Sequence, residues 1–347
     1  MTKRNTSFHK YKSRQKARTV PIDIDRLFHK VLEGDKAALA QGITLIESTL
    51  KHDLLQGEEL VTKCLKAAHQ SIRIGITGVP GVGKSTFIEA FGSFLTASGK
   101  KVAVLAVDPS SSITKGSILG DKTRMERLSR DPNAFIRPSP AQDSLGGVAR
   151  RTRESILLCE AAGYEVILVE TVGVGQSETL VHSMVDFFLL LKLAGAGDEL
   201  QGVKRGIMEM ADAVVINKAD GENLNAVKYA MTEFQRALHL YPPKTNTWMP
   251  KVLRCSSLHQ TGIDTVWQTI QNFIELTTNN GHFESNRDVQ YKNWFTQTVD
   301  DLLQRHFFEE KTIQLAMQQQ LQKITAKEVS PVTAARELVG MIYGGNA

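Results

Sequence analysis

Cysteine is scarce in this chain of 347 residues, and long hydrophobic runs are missing. The longest apolar run starts at Val185, and Asp186 and Lys192 interrupt it, so nothing approaches the roughly 20 apolar residues of a membrane span. The three cysteines form no CxxC pair, which excludes a disulfide framework and disfavours a thiolate metal site. They are Cys64, Cys159 and Cys255. We therefore expect a water-soluble protein from a reducing compartment.

Acidic residues are missing from residues 1–22, which hold seven lysines and arginines. Blocks of one charge sign are typical of disordered tails, and we expect a basic disordered tail here. A mitochondrial transit peptide has a similar composition and is the alternative. No secretory apolar segment follows, which favours the cytoplasm. The chain as a whole is 41% hydrophobic and 23% charged, as in ordinary globular proteins.

Hydrophobic patterning divides the remainder into three parts. Residues 23–70 show helical spacing, residues 71–276 alternate short apolar runs with helical stretches, and residues 282–347 return to helical spacing. Strands separated by helices predict an α/β domain with a mostly parallel sheet covered on both faces. Thr277–Gly281 is predicted to be a linker, and Ser330-Pro331 predicts a capped final helix. The predicted strands are Ile72–Thr77, Val102–Val107, Val166–Val169, Ala213–Ile216 and Val252–Cys255.

A glycine-rich segment follows the first predicted strand. Its sequence matches the pattern G-x-x-x-x-G-K-[ST] at every position and precedes a helical stretch, which is the context that a phosphate-binding loop requires. Backbone N–H groups of such a loop converge on phosphate oxygens. We expect Lys84 to reach the β- and γ-phosphates and Ser85 to ligate Mg²⁺. The residues expected to contact nucleotide are Gly78, Val79, Pro80, Gly81, Val82, Gly83, Lys84, Ser85 and Thr86.

A second motif, Asn217-Lys218-Ala219-Asp220, follows the fourth predicted strand. We expect it at the carboxyl edge of the sheet, where open α/β sheets bind ligands. The Asp220 carboxylate can accept hydrogen bonds from N1–H and the exocyclic amine of guanine, a donor pair that adenine lacks. Ser256 and Ser257 end the next apolar run, where a further contact to guanine would fall. The two motifs together predict a protein that binds GTP.

Acidic residues near strand ends are the candidates for Mg²⁺ coordination. Glu170 ends the third predicted strand and opens the sequence Glu-Thr-Val-Gly. The alternative to a Mg²⁺ ligand is a carboxylate that only caps the end of this strand. Asp108 follows the second strand, with a turn-forming Asp-Pro as the alternative. Asp121 lies in a glycine-flanked polar loop, where metal binding and a structural role stay equally open. Val174 stands where several GTPases have a water-orienting Gln, so we predict slow hydrolysis until a partner or a mobile loop completes the site.

The chain contains the segments GVPGVGKST, VDPSSS, GSILGDKTRM, SLGGVARRTRE, VETVGVGQSE, AGAGDELQGVKRG, NKAD and SPVTAARELV. Together they closely resemble one family, the ArgK/MeaB-type GTPases. These are auxiliary proteins of methylmalonyl-CoA mutase and related cobalamin-dependent acyl-CoA mutases. The resemblance extends from about Phe28 to the C-terminus.

The resemblance implies a homodimer with N-terminal helices, a central P-loop GTPase domain and a C-terminal helical dimerisation arm. It implies Mg²⁺ contacts for Asp121 and the two other acidic candidates, and a third nucleotide-responsive loop at residues 194–204. The catalytic residues that it implies are Lys84, Asp108, Glu170 and Lys204. The implied function is a G-protein chaperone. GTP hydrolysis would gate transfer of adenosylcobalamin into the mutase and help to release inactive cobalamin.

Two other classes of function stay open at this point. Metallocentre assembly needs clustered Cys or His ligands, whereas the nine histidines here are scattered along the sequence. A transport-linked protein kinase needs a catalytic loop, which the sequence does not show. Both classes are therefore less favoured than the chaperone, and they stay open as alternatives to it.

Charged residues give little indication of further partners. The net charge of +5 is modest for this length, and we expect neither a nucleic-acid nor a membrane partner. Three arginines, Arg150, Arg151 and Arg153, follow one another closely in a helical stretch. We expect them on a solvated helix face, with contact to a partner as the alternative.

Overall fold

A computed structural model describes residues 22–107, 125–138, 145–171, 177–195 and 205–341. Within these ranges a seven-stranded sheet forms the centre, in the order β3-β2-β4-β1-β5-β6-β7, and every strand pairing is parallel. The α/β class predicted from the sequence is confirmed. The strands are β1 (Ile72–Gly78), β2 (Val102–Val107), β3 (Ala134–Arg137), β4 (Val166–Thr171), β5 (Phe187–Leu193), β6 (Ala213–Asn217) and β7 (Lys251–Arg254).

All five predicted strands are present, with bounds that differ by at most two residues. The prediction was incomplete, because it assigned neither β3 nor β5. The four residues of β3 are too few for a periodic signal. Strand β5 lies between β1 and β6 and is buried on both faces, as β2, β4 and β6 are, but its residues are Phe, Leu and Lys, with none of the β-branched side chains that mark those strands. Such a run cannot be distinguished from a buried helix by pattern alone.

Helices cover both faces of the sheet. The helices in the described ranges are α1 (Ile24–Leu32), α2 (Lys36–Ile46), α3 (Lys51–Ala67), α4 (Lys84–Ala97), α5 (Glu126–Arg130), α6 (Leu145–Ala161), α7 (Ser177–His182), α8 (Arg205–Met210), α9 (Leu224–His239), α10 (Ile263–Asn279), α11 (His282–Glu309), α12 (Lys311–Thr325) and α13 (Pro331–Gly340). One face packs against α1, α2, α3, α6 and α7, with α8 and α9 beside them, and the other packs against α4, α5 and α10. Alternate residues of β2 show this division, since Ala103 and Leu105 belong to the first core and Val102 and Val104 to the second.

The N-terminal helices form as the helical spacing predicts. Asp23 caps α1 by accepting a hydrogen bond from the backbone N–H of Arg26, and the buried face of α1 consists of Ile24, Leu27 and Val31. Residues 1–21 of the predicted basic tail lie outside the described residues. Across the described residues, no helix combines the length and the apolar character that a membrane span needs. The predicted division into domains stays a prediction.

The predicted linker Thr277–Gly281 is wrong for most of its length. Helix α10 continues through Asn279, and the Thr277 hydroxyl donates to the carbonyl of Phe273 inside the helix. Only Asn280 and Gly281 separate α10 from α11, and Gly281 takes a positive φ of 75° in this short connection. The capped final helix is confirmed, because Ser330 Oγ accepts from the N–H of Thr333 at the start of α13.

The expectation of a solvated arginine face on α6 is wrong for two of its three residues. Arg151 and Arg153 are only 7% and 5% exposed, because α6 lies beneath α2, α3 and α11. Arg150 is partly buried and lies 3.8 Å from the carboxylate of Glu154. The helical spacing could not show this burial, since the covering helices come from distant parts of the chain.

Candidate functional site

The glycine-rich segment connects β1 to α4 at the carboxyl edge of the sheet. Gly83 immediately precedes α4 with a φ of 92°, and a Cβ atom there would lie 2.8 Å from the amide nitrogen of Asn217. At Gly78 a Cβ atom would lie 2.6 Å from the carbonyl oxygen of Leu191. Side chains at either position would therefore collide with neighbouring strands or loops, which explains why glycine is required.

Lys84 is the first residue of α4, and its ammonium group is directed back over the loop. Nζ donates to the carbonyl of Gly78 at 2.8 Å, and the residue is 8% exposed. Ser85, which follows it, is half-buried, and Thr86 is exposed. The first turn of α4 thus combines a cation, hydroxyl groups and helix N-terminal N–H groups, the arrangement that favours phosphate oxygens.

Asn217 ends β6 and ties three loops together. Its Nδ2 donates to the carbonyl of Val82 at 3.0 Å, and its Oδ1 accepts from the hydroxyl of Ser257 at 2.7 Å. Lys218 Nζ reaches the carbonyl of Gly81 at 3.2 Å. The structure therefore joins the loops after β6 and β7 to the glycine-rich segment, although the three are remote in sequence.

Asp220 is oriented by a residue from the neighbouring loop. Ser256 Oγ donates to its carboxylate and also accepts from the N–H of His259 at 3.2 Å. Cys255 is buried beside them and its Sγ lies 3.5 Å from Asn217 Oδ1. Burial raises the pKa of Cys255 to about 12, so the thiol stays protonated and can act only as a donor to that oxygen.

The acidic candidates are only partly within the described residues. Glu170 lies next to last in β4, in register with Ile76 of β1, and is 6% exposed. It is thus on the strand beside the one that leads into the glycine-rich segment. Asp108, Asp121 and Lys204 lie outside the described residues, as does nearly all of the loop at 194–204.

A side-chain contact between the two central strands was not predicted from the sequence. The Thr171 hydroxyl hydrogen-bonds to that of Thr77 at 2.9 Å, and both residues are at most 1% exposed. Each threonine sits at or next to the carboxyl end of a mainly apolar strand, although β1 also contains Arg73 and β4 also contains Glu170. A threonine at this end of both strands is the signal that could have identified the pair.

A glycine-rich segment between a central strand and a helix, with an Asn-Lys-Ala-Asp motif tied to it from a neighbouring strand end, defines the class of P-loop GTPases. The model of the family described as methylmalonyl-CoA mutase-associated GTPase MeaB matches residues 39–312. The chain belongs to this MeaB family of GTPases. The family resemblance that the sequence motifs carry is confirmed.

Individual relatives agree with this assignment. The chain is 46% identical to GTPase ArgK of Escherichia coli over 309 residues, covering 89% of this chain and 93% of the relative. It is 43% identical to the mitochondrial methylmalonic aciduria type A homolog of Mus musculus, covering 90% and 78% respectively. A crystal structure described as LAO/AO transport system kinase superposes with a TM-score of 0.74 at 38% identity, covering 94% of this chain and 100% of the other.

Proposed function

We propose that this GTPase gates the loading of adenosylcobalamin into a cobalamin-dependent acyl-CoA mutase of the methylmalonyl-CoA mutase type, and assists reactivation of that mutase. The observation that carries the proposal is membership of a family described by its association with methylmalonyl-CoA mutase. The relatives named for methylmalonic aciduria support the same partner.

We infer that GTP lies along the carboxyl edge of the sheet. Its phosphates would contact residues 78–86, with the Lys84 ammonium against the β- and γ-phosphates. Its guanine would be read by Asp220, whose carboxylate Ser256 already orients. Asn217, Lys218 and Ser257 would hold the surrounding loops in place, which their contacts to Val82, Gly81 and each other support.

The donors around the phosphate site suit Mg²⁺, which prefers oxygen ligands. Ser85 offers a hydroxyl in the first turn of α4, and Glu170 offers a buried carboxylate on the strand beside β1. We propose that these two residues, with Asp108 and Asp121, hold the ion. When bound, Mg²⁺ neutralises charge on the β- and γ-phosphate oxygens. Lys204 is proposed as the basic residue that the third loop contributes to catalysis.

Hydrolysis is proposed to be slow without the partner. Val174 cannot orient water, and a mutase that binds one nucleotide state more tightly than the other would shift the population of the GTPase accordingly. The nucleotide state can control cofactor transfer only through this difference in affinity.

We propose that the protein is a homodimer joined through its C-terminal helices. Apolar residues on α11 recur at helical spacing and face outward, and Phe295 and Leu303 are 72% and 65% exposed. A second copy of the same surface could cover them, as in a two-fold symmetric dimer.

We propose a cytoplasmic location. All three cysteines are free and buried, and burial raises the pKa of Cys64 to about 12, so this thiol is protonated at neutral pH. Free thiols are the normal state in a reducing compartment.

The two alternative functions receive less support. Among the described residues no group of three or more His, Cys, Asp or Glu side chains could hold a metal ion, which disfavours metallocentre assembly. The word kinase comes from the description of a related crystal structure, and it says nothing about phosphate transfer by this chain. Metal content after purification tests the first alternative, and transfer of labelled phosphate from GTP to a periplasmic binding protein tests the second.

The decisive experiment is GTP turnover by the purified protein, alone and with stoichiometric methylmalonyl-CoA mutase. We expect a stimulation of at least tenfold by the mutase, equivalent to about 1.4 kcal/mol in the barrier. We also expect the release of adenosylcobalamin from the protein that supplies it to require hydrolysable GTP. The absorbance of the cofactor measures this release. Unchanged turnover with the mutase and its isobutyryl-type relative, while GTP binding is intact, would reject the proposal.

A further inference from the structure

Arg153 is buried where three elements meet. Its Nη1 donates to Gln297 Oε1 of α11 at 2.7 Å, and its Nη2 donates to Ser183 Oγ at 2.8 Å. Ser183 follows α7 directly, and Arg153 itself is on α6. One guanidinium therefore connects the C-terminal helices to the segment between α7 and β5.

Both partners of Arg153 are neutral, and no carboxylate pairs with it among the described residues. Burying a cation without a counter-charge is unfavourable, and burial lowers the pKa of the Arg153 guanidinium. An apolar side chain would pack here without that cost. The arginine is therefore poorly explained by stability alone.

Helix α11 holds the same segment, residues 183–186, at two further points. Gln290 Nε2 donates to the carbonyl of Val185 at 2.8 Å. Arg287 donates two hydrogen bonds to the carboxylate of Asp186, at 2.9 and 2.8 Å. Helix α11, the first helix of the C-terminal region, thus hydrogen-bonds directly to the second half of the connection between α7 and β5.

Helix α7 in turn packs closely under β1, the strand that leads into the glycine-rich segment. A Cβ atom on Gly75 would lie 2.9 Å from Val181 and 3.0 Å from Val185, so only glycine allows this approach. Helix α7 also begins six residues after Thr171, the last residue of β4. Helix α7 thus packs directly on β1 and β4, the two strands whose carboxyl ends carry the proposed GTP site.

The contact between α6 and α11 is not fully packed. Arg153 Nε and Gln290 Oε1 make no hydrogen bond within the described structure, and both residues line a cavity of about 20 Å³ between these helices. The guanidinium therefore lies against a free space of about the size of one water molecule, and its Nε–H has no partner in the described structure.

We propose that Arg153 is a positioning residue that couples the nucleotide state to the C-terminal helices by holding Ser183 and Gln297 together. The coupling rests on the proposed function in one respect, namely that the C-terminal helices transmit the GTP state to the mutase. When α7 shifts with the nucleotide, the bridge through Arg153 transfers the shift to α11.

Hydrogen exchange of residues 282–309 with GDP and with a non-hydrolysable GTP analogue tests the coupling without any mutase. In the unmodified protein we expect exchange to differ at least fivefold between the two nucleotides. Ser183→Ala and Gln297→Ala each remove one end of the bridge and should reduce that difference by at least half, while the contacts of Arg287 and Gln290 to the same segment remain. The double variant should do no more than either single one, because both break the same connection.

Ser129→Ala and Gln268→Ala, which remove exposed hydrogen bonds elsewhere, are matched controls and should leave the difference intact. Arg153→Lys, which keeps the charge but cannot hold both partners, should resemble Ser183→Ala. GTP and GDP affinities should stay within twofold in all variants, which excludes general damage to the site.

An undiminished nucleotide dependence in Ser183→Ala and Gln297→Ala would overturn the coupling, as would its absence from the unmodified protein. Failure of the proposed function would give a different result from failure of the coupling. The nucleotide dependence of α11 would then persist and respond to the variants, while no mutase stimulated GTP turnover.

Discussion

Thr171 and Thr77 share a hydrogen bond of 2.9 Å at the point where β4 and β1 end, entirely shielded from solvent. This bond joins the strand that carries Glu170 to the strand that leads into the phosphate loop. It links two elements of the proposed GTP site through side chains as well as through the backbone ladder.

Removing one hydroxyl of this pair should lower the free energy of unfolding more than removing both. Thr171→Val leaves the Thr77 hydroxyl buried without its partner, which should lower the free energy of unfolding by about 1–3 kcal/mol. The double variant, with valine at both positions, should recover most of that loss because valine has nearly the same shape. Urea unfolding of the four proteins measures this, and additive losses would contradict the pairing.

Lys84→Ala should abolish tight GTP binding. The variant loses the ammonium that is held over the loop by Gly78, and charge-assisted contacts to phosphate contribute roughly 1.5–3 kcal/mol. We expect at least a tenfold weaker affinity for GTP by titration calorimetry. Lys100→Ala, which removes a partly exposed lysine paired with Glu165, is the control and should bind normally. Unchanged affinity in Lys84→Ala would reject the phosphate-loop assignment.

Asp220→Asn should shift the preference from guanosine to xanthosine nucleotides. The asparagine amide can donate to the additional carbonyl of xanthine, whereas it no longer accepts both guanine donors. The loss for GDP should reach about 10–100-fold. Ser256→Ala frees the carboxylate that Ser256 orients and should weaken GDP binding by a smaller factor, about fivefold. Competition of XDP against GDP measures both, and an unaltered guanine preference in Asp220→Asn would refute its role.

Glu154 should contribute a loss of stability as the pH rises through the acidic range. Burial raises its pKa to about 7, although Arg150 and Arg151 favour the charged form. The folded state therefore keeps a proton that the unfolded chain loses near pH 4.5, so the free energy of unfolding decreases between about pH 4.5 and 7.

Glu154→Gln should remove that penalty. The variant should gain roughly 1–3 kcal/mol relative to the unmodified protein at pH 8, and much less at pH 4.5. Urea unfolding at the two pH values measures the gain, with the exposed carboxylate of Glu33, changed to Gln, as control. An equal effect at both pH values would contradict a raised pKa.

Polar substitutions on α11 should separate the proposed dimer. Phe295→Ser combined with Leu303→Ser removes two exposed apolar side chains from one face of the helix. We expect a monomer by sedimentation velocity, with unchanged GTP affinity. Leu55→Ser changes an equally exposed leucine on α3 and should not alter the mass. A dimer that survives the double substitution would place the interface elsewhere.

The local chemistry of the site could be predicted because its motifs are contiguous. The pattern around Lys84 and the Asn-Lys-Ala-Asp motif each occupy one loop, and both loops follow strands whose apolar runs are visible in the sequence. The parallel sheet followed from the alternation of those runs with helices. By contrast, β5 was missed because its Phe, Leu and Lys residues include none of the β-branched side chains that mark the other buried strands.

The amino-acid sequence by itself determined the class of fold and located the proposed phosphate loop and base-reading motif, since each depends on residues that are neighbours in the chain. The tertiary structure decided which remote residues meet. Asn217 and Val82 are 135 positions apart, and Arg153 and Gln297 are 144 apart. Packing of α11 and other remote elements around α6 buries Arg153, which helical spacing alone had placed in solvent. Contacts of this kind arise from the packing of whole elements, and no local pattern encodes them.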